Sequence, residues 1–325
     1  MKKIRVSLIG YGLSGKSFHT PLIRSCKELE IVAVVSSRID EIKSDLPNAE
    51  VTSFEDALKL CDLVVITSPH QFHYEQAKAA LGANKHVVIE KPFTATVSQA
   101  EELFAIAKQK KLSLKVFYNR RYDADFLTLR KMIESKTLGK IVTFESHFDR
   151  FRPTPKENSW REEKGPLSGI WWDLGPHLID QALILFGQPK SVSYDIGMQR
   201  DGEADDFFDI TLKYDQGLRV HLRASCIVKD FGYRFRAHGT KGSVVFKVLD
   251  TQESQLRSGI TPSDAKFGIY PEDQFQISAG LSAQLIKGNY LKFYKNLIAS
   301  ISTDSPDDSD YEAIVFGTKI LNLEI

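Results

Sequence analysis

The chain has 325 residues, 42% apolar and 26% charged, with 43 Lys and Arg against 42 Asp and Glu and a net charge of +1. That length exceeds one ordinary core and predicts two domains of a globular protein. The balanced charge gives no electrostatic basis for binding nucleic acid or an acidic membrane surface, and no stretch reaches the ~20 apolar residues of a membrane span. Three scattered cysteines, Cys26, Cys61 and Cys226, argue against a disulfide framework and predict a reducing, cytoplasmic setting in which each is a small buried apolar residue.

Residues 1–120 alternate strand and helix. Strand Ile4–Ile9 runs straight into a glycine turn, so the start is read as a strand and not a signal peptide. A helix over Gly15–Cys26, strand Glu30–Val35, helix Phe54–Leu60 and strand Leu63–Thr67 follow. Then come helix His73–Leu81, strand His86–Ile89, helix Val97–Lys110 and strand Ser113–Tyr118. Short connections and strands without in/out alternation predict a doubly wound parallel sheet, covered on both faces.

The pattern changes after Arg121. A helix over Phe126–Ser135 leads to period-2 runs at Ile141–Phe148, Ser191–Ile196, Phe208–Tyr214, Leu218–Ala224, Arg234–His238 and Gly242–Val248. These predict an α+β second domain, 121–325, with a large, mostly antiparallel sheet and helices at Leu174–Phe186 and Ser282–Ser302 on one side. Pro153–Ser168 and Gln252–Gln274 are read as long loops, a class often used as lids. An apolar open face on that sheet would need covering by a second subunit, predicting a homodimer or homotetramer.

The segment IRVSLIGYGLSGKS, Ile4–Ser17, fits two phosphate-binding patterns. Gly10, Gly12 and Gly15 make G-x-G-x-x-G; Gly10, Gly15, Lys16 and Ser17 make G-x-x-x-x-G-K-S. Only the dinucleotide turn needs glycine at position 12, where the backbone approaches a pyrophosphate. A triphosphatase needs a magnesium-holding carboxylate at another strand's end, but the strands here end in Ser36-Ser37-Arg38 and Thr67-Ser68-Pro69. Gly15 to Ser36 spans 21 positions, the distance to a ribose-reading group. The turn Gly10, Tyr11, Gly12, Leu13, Ser14 and Gly15 is therefore read as a dinucleotide site. Ser36, Ser37 and Arg38 replace the acid that reads a 2′-hydroxyl and suit a phosphate, which predicts NADP over NAD. Lys16 sits badly for the helix dipole unless an anion compensates it.

Glu90-Lys91-Pro92 follows strand His86–Ile89 directly, placing Lys91 at a carboxyl strand end where ligands bind. An ammonium there can hold a substrate oxygen, and the Lys91-Pro92 bond is a candidate for cis. A surface salt bridge between Glu90 and Lys91 is the plainer alternative. In Gly169–Gly187, Asp173 and His177 are four apart and share a helix face, a workable acid/base pair. Taken singly, Asp173 also reads as an N-cap before Gly-Pro and His177 as a core histidine.

Together, G-x-G-x-x-G, E-K-P and D-x-G-x-H-x-x-D resemble the glucose–fructose oxidoreductase / inositol dehydrogenase / MocA family over nearly the whole chain. Thr67-Ser68-Pro69 with His73, and Asn119-Arg120-Arg121, belong to the likeness. GYGLSGKSFHTP, SSR, NRRYDADF and FDRFRP resemble its NADP-dependent scyllo-inositol dehydrogenase-like branch. Trp171-Trp172 departs from the usual pattern.

The resemblance implies that Lys91, Asp173 and His177 are catalytic. His177 would take the hydroxyl proton, Lys91 would hold the oxygen and steady the cofactor ribose, and Asp173 would orient the substrate or the histidine. It adds Ser68, Pro69, His73 and Glu90 to the cofactor site, with no metal. The substrate expected is a sugar, an inositol or a related polyol. Arg150, Arg152, Trp160 and Trp172 are candidates to line its pocket, with Lys156 and Arg161 in the same basic loop. A dinucleotide-sensing regulatory protein and a glycosidase using bound nicotinamide share this fold and remain alternatives.

Overall fold

The computed structural model describes residues 3–156, 159, 161–303 and 309–325. The chain divides into two compact units, Met1–Tyr122 with Thr251–Gly268 and Asn289–Tyr311, and Asp123–Asp250 with Ile269–Gly288 and Glu312–Ile325. The second unit is therefore not the continuous 121–325 read from the sequence, because two later segments return to the first. Their attachment is physical. Buried Gln252 donates from Nε2 to the Tyr122 carbonyl at 3.0 Å and accepts the Tyr290 amide at 2.8 Å.

The first unit holds a six-stranded parallel sheet. Its strands are β1 (Ile4–Ile9), β2 (Leu29–Val35), β3 (Glu50–Val51), β4 (Leu63–Ile66), β5 (His86–Ile89) and β6 (Leu114–Val116), in the order β3-β2-β1-β4-β5-β6. Val6, Leu8, Val34 and the whole of β4 are buried, as a sheet covered by helices on both faces requires. The order reverses around β1, so the carboxyl ends of β1 and β4 form the switch point where such sheets bind ligands. After β1 the chain makes a wide helical turn over Gly15–His19 that runs into α1 (Thr20–Arg24). Helix α2 (Ile39–Asp45) and the two-residue β3 have no counterpart in the sequence expectation, being too short and polar to show a period. Helices α3 (Phe54–Leu60), α4 (His73–Gly82) and α5 (Val97–Lys110) complete the crossovers.

Two expectations for the later segments are corrected. The stretch read as a loop from 252 contains a helix at Gln252–Arg257. The helix read from 282 starts only at Leu291, because Gly288-Asn289 interrupts it and the Asn289 carboxamide accepts the Lys292 amide at 3.1 Å, starting the helix there.

The second unit holds α6 (Ala124–Glu134), α7 (Gly169–Phe186) and a seven-stranded sheet. The strands are β7 (Ile141–His147), β8 (Ser191–Gly197), β9 (Phe207–Lys213), β10 (Arg219–Ser225), β11 (Phe235–Gly239), β12 (Gly242–Phe246) and β13 (Phe275–Ile277), in the order β13-β12-β11-β7-β10-β9-β8. The sheet is mixed: β7 runs parallel to β10, and the other neighbours are antiparallel. Phe144, Phe208, Ile210, Leu212, Val220 and Leu222 pack against Phe126 and Leu129 of α6 and Leu178 of α7. Each such burial stabilises by roughly 1.5–3 kcal/mol. The opposite face carries Glu145, Asp209, Thr211, His221, Arg223 and Arg236, with Glu145 bonded to Arg236 and Thr211 at 3.1 Å from His221. The open face is thus polar, and the condition on which a covering subunit was expected is not met.

Candidate active site

In the first unit the three glycines of the turn do different work. Gly10 has φ +101°, and a Cβ there would lie 2.9 Å from the Thr67 carbonyl; at Gly15 it would lie 2.4 Å from the Gly10 oxygen. Both let the turn fold onto β4, where the Thr67 hydroxyl donates to the Gly10 carbonyl at 2.9 Å. Gly12 is the opposite case, since a Cβ there would meet nothing within 4 Å. Packing does not demand that glycine, so the space beside it is free for a ligand, which is the fit a dinucleotide pyrophosphate needs. Leu13 is exposed beside it, while Tyr11 is buried with its hydroxyl donating to Asp45 at 3.1 Å.

At the end of β2, the Arg38 amide donates to the Ser36 hydroxyl at 3.2 Å, and Ser37 is exposed. No acid stands at that strand end. Glu41, in the first turn of α2, takes both local cations: Lys16 Nζ at 2.7 Å and Arg38 Nη1 at 3.3 Å. Lys16 also pairs with Asp45 at 3.0 Å. The anion that Lys16 was expected to require is therefore supplied by the protein itself. Hydrogen bonding to Lys16 holds the Glu41 and Asp45 carboxyls below the usual carboxylate range, and those partners push Lys16 up.

Glu90 closes the turn from the other side. Its Oε1 accepts from the Ser14 hydroxyl and from His19 Nε2 at 3.1 Å, and its Oε2 accepts the Lys91 amide at 3.1 Å. Burial alone would push this carboxyl up, but the His19 and Ser14 bonds and the His19 and Lys91 charges outweigh it and hold it low. A carboxylate therefore ties the glycine turn to the chain at Lys91, whose bond to Pro92 is cis. His73 is fully buried, with Nδ1 2.9 Å from the Pro92 carbonyl and Nε2 3.0 Å from the Ser68 carbonyl. Burial pushes its pKa down despite those two acceptors. It braces the ends of β4 and β5, while Pro69 starts the short turn that leads into α4.

In the second unit, α7 starts at Gly169, well before the expected Leu174. Gly169 has φ +84°, and a Cβ there would fall 2.0 Å from Asp205 Oδ1. Asp205 accepts the Trp171 amide on Oδ2 at 2.7 Å and the Ile170 amide on its carbonyl at 2.8 Å, capping the helix from a distant loop. Asp173 thus lies inside the helix and is not its N-cap, and Pro176 is an internal proline. Asp173 Oδ2 accepts from Arg150 Nη1 at 3.1 Å, with Arg161 Nε at 3.9 Å from Oδ1. His177, one turn on, is buried.

The loop bearing these arginines is anchored by Arg200, which binds Asp206 at 2.8 Å, Glu162 at 3.2 Å and the Arg152 carbonyl at 3.0 Å. Arg152 itself is exposed. Trp172 packs half-buried against the core, and Trp171 is buried with its indole donating to the Leu321 carbonyl at 2.9 Å. Trp160 lies outside the described residues.

The sequence singles out the glycines, Lys91, Asp173 and His177 as candidates. It does not single out His19, Glu41, Asp205, Arg200 and Tyr294. Glu41 was legible as an i+3 partner of Arg38; the others act across long sequence separations. Among the described residues no group of three or more His, Cys, Asp or Glu is arranged to hold a metal ion, and no helix is long and apolar enough to cross a membrane.

Residues 4–118 match the family model described as an oxidoreductase family with an NAD-binding Rossmann fold, and residues 126–245 match that of the GFO/IDH/MocA C-terminal domain. The chain is 42% identical to the oxidoreductase YdgJ of Escherichia coli over 313 residues, covering 93% of this chain and 89% of YdgJ. It is 38% identical to the scyllo-inositol 2-dehydrogenase (NADP(+)) IolW of Bacillus subtilis over 310 residues, covering 92% and 86%. Its structure is similar to that of the oxidoreductase YvaA of Bacillus subtilis, with a TM-score of 0.93 at 36% identity over 99% of this chain and 95% of that one.

Proposed function

This chain belongs to the GFO/IDH/MocA family of oxidoreductases, and on that premise we propose that it transfers a hydride between NADP and a hydroxyl-bearing carbon of a sugar, an inositol or a related polyol. The observation that carries the reading is the open space at Gly12 between two glycines that packing demands. The turn Gly10–Gly15 would hold the pyrophosphate, with Ser36, Ser37 and Arg38 at the adenosine ribose. Support for NADP comes from Ser36-Ser37-Arg38, with no acid, at the end of β2 and from IolW, named for NADP and an inositol.

Bound NADP supplies the hydride acceptor or donor. The chain supplies proton handling and orientation. Lys91 donates to the substrate oxygen and favours the charge that grows on it. His177 takes or returns the hydroxyl proton, a step that general acid–base catalysis accelerates about 10²–10⁴-fold. Asp173, held by Arg150, orients its neighbours on α7 and the substrate hydroxyls.

The test is nicotinamide absorbance with NADP and a panel of inositols and sugars. Wild type should turn over at least one of them, while Lys91→Ala and His177→Ala should lose activity yet still bind NADP. Turnover in the variants equal to wild type, or none in wild type across the panel, defeats the reading.

A further inference from the structure

We propose that Glu41 is a built-in competitor for the 2′-phosphate of NADP, and that it sets how strongly the protein discriminates NADP from NAD. The inference rests on the reading above, that a dinucleotide lies along the glycine turn with its adenosine ribose at the end of β2.

Two cations from different elements meet on this one carboxylate, each on its own oxygen: Lys16 Nζ at 2.7 Å from Oε1, and Arg38 Nη1 at 3.3 Å from Oε2. A phosphate offers several oxygens to donors in the same way, so Glu41 occupies the partners that a 2′-phosphate would claim. Asp45 does not share this position. It touches Lys16 but not Arg38, and the Tyr11 hydroxyl pins it. When Glu41 leaves, Asp45 therefore keeps Lys16 in place for the incoming phosphate.

The magnitudes allow the exchange. The Lys16, Glu41 and Arg38 side chains are 39%, 34% and 57% exposed. Ion pairs so open to water change an equilibrium constant by only about two- to fivefold. A 2′-phosphate, carrying more charge and more acceptors than a carboxylate, can displace Glu41 at that cost. A ribose hydroxyl makes no such demand, so NAD binding leaves Glu41 where it stands. The cations create the preference for the phosphate, and Glu41 limits it.

Calorimetric titration at low and high salt, with 2′,5′-ADP against 5′-ADP and NADP against NAD, tests this in wild type, Glu41→Gln, Asp40→Asn and Arg38→Ala. Asp40 shares the first turn of α2 and controls for the general loss of a negative charge. Glu41→Gln should tighten both 2′-phosphorylated ligands about three- to fivefold at low salt. The gain should shrink at high salt, and the ligands without the phosphate should change less than twofold. Asp40→Asn should give a much smaller gain.

Equal gains in Glu41→Gln and Asp40→Asn, or a Glu41→Gln effect that ignores the 2′-phosphate, overturn the competitor role while leaving NADP preference intact. A wild type without preference for the phosphorylated ligands, and an Arg38→Ala that weakens neither, removes the NADP reading itself and this inference with it.

Discussion

His19 and Glu90 meet in the first unit, Nε2 to Oε1 at 3.1 Å, and Tyr294 completes the chain at His19 Nδ1 at 2.5 Å. A carboxylate only accepts hydrogen bonds, so Nε2 carries the proton and the Tyr294 hydroxyl faces the other ring nitrogen. Both His19 and Tyr294 are fully buried. The late helix Leu291–Ser302 thereby supports the carboxylate next to Lys91. Tyr294→Phe leaves His19 Nδ1 without that partner and should destabilise the protein by about 1–3 kcal/mol. Urea unfolding followed by circular dichroism measures it, and an unshifted midpoint would contradict the role assigned to this hydroxyl.

Gly12 and Gly15 should separate folding from binding. Gly15→Ala drives a methyl to 2.4 Å from the Gly10 oxygen and should cost about 1–3 kcal/mol of stability. Gly12→Ala meets nothing, so stability should change by no more than ~0.5 kcal/mol. The methyl should nonetheless cut NADP affinity about tenfold or more by denying the pyrophosphate its approach. Thermal melts and NADP titrations on the two variants decide it; matched behaviour would remove the basis for a ligand at Gly12.

His147 predicts a slope in the stability–pH curve. Burial pushes its pKa down from 6.5 to about 4, with the Arg223, Arg234 and Arg236 charges adding to the drop and Glu145 opposing it. As pH falls from 6.5 towards 4, the unfolded chain binds a proton that the folded histidine refuses. Stability should fall through that window, and above it His147 should contribute no slope. His147→Gln should flatten the curve between those limits, as read from denaturant midpoints against pH. A variant curve as steep as wild type would refute the assignment.

Arg38→Asp should move cofactor preference towards NAD. It removes a charge-assisted donor, worth about 1.5–3 kcal/mol when bonded, and places a carboxylate where a 2′-hydroxyl can donate. The NADP/NAD ratio of binding constants should fall about tenfold or more. A ratio left as in wild type would exclude Arg38 from the cofactor site.

The candidate site residues are legible in the sequence because they lie in short motifs. G-x-G-x-x-G follows an apolar strand, Glu90-Lys91-Pro92 follows another, and Asp173 and His177 sit at helical spacing. What sequence reasoning misplaced depends on partners far along the chain. The start of α7 was read as Asp173 before Gly-Pro, whereas Asp205 caps the helix four residues earlier. An open face of the second sheet would need covering only if apolar, and its charged side chains instead pair across strands. The sequence calls for an anion beside Lys16, and the fold supplies it as Glu41 and Asp45.

The sequence by itself determined the parallel sheet, the glycine turn, the family and the residue types offered for chemistry. These follow from local periodicity and from backbone freedom that only glycine has. Tertiary structure alone decided that Gly12 is free of packing demands while Gly10 and Gly15 are not. It also decided that Glu90 stays a carboxylate through His19 and Ser14, and that Glu41 bridges Lys16, after β1, and Arg38, after β2. Each depends on the distance between groups remote in sequence, and hydrogen bonding, desolvation and charge pairing act through distance.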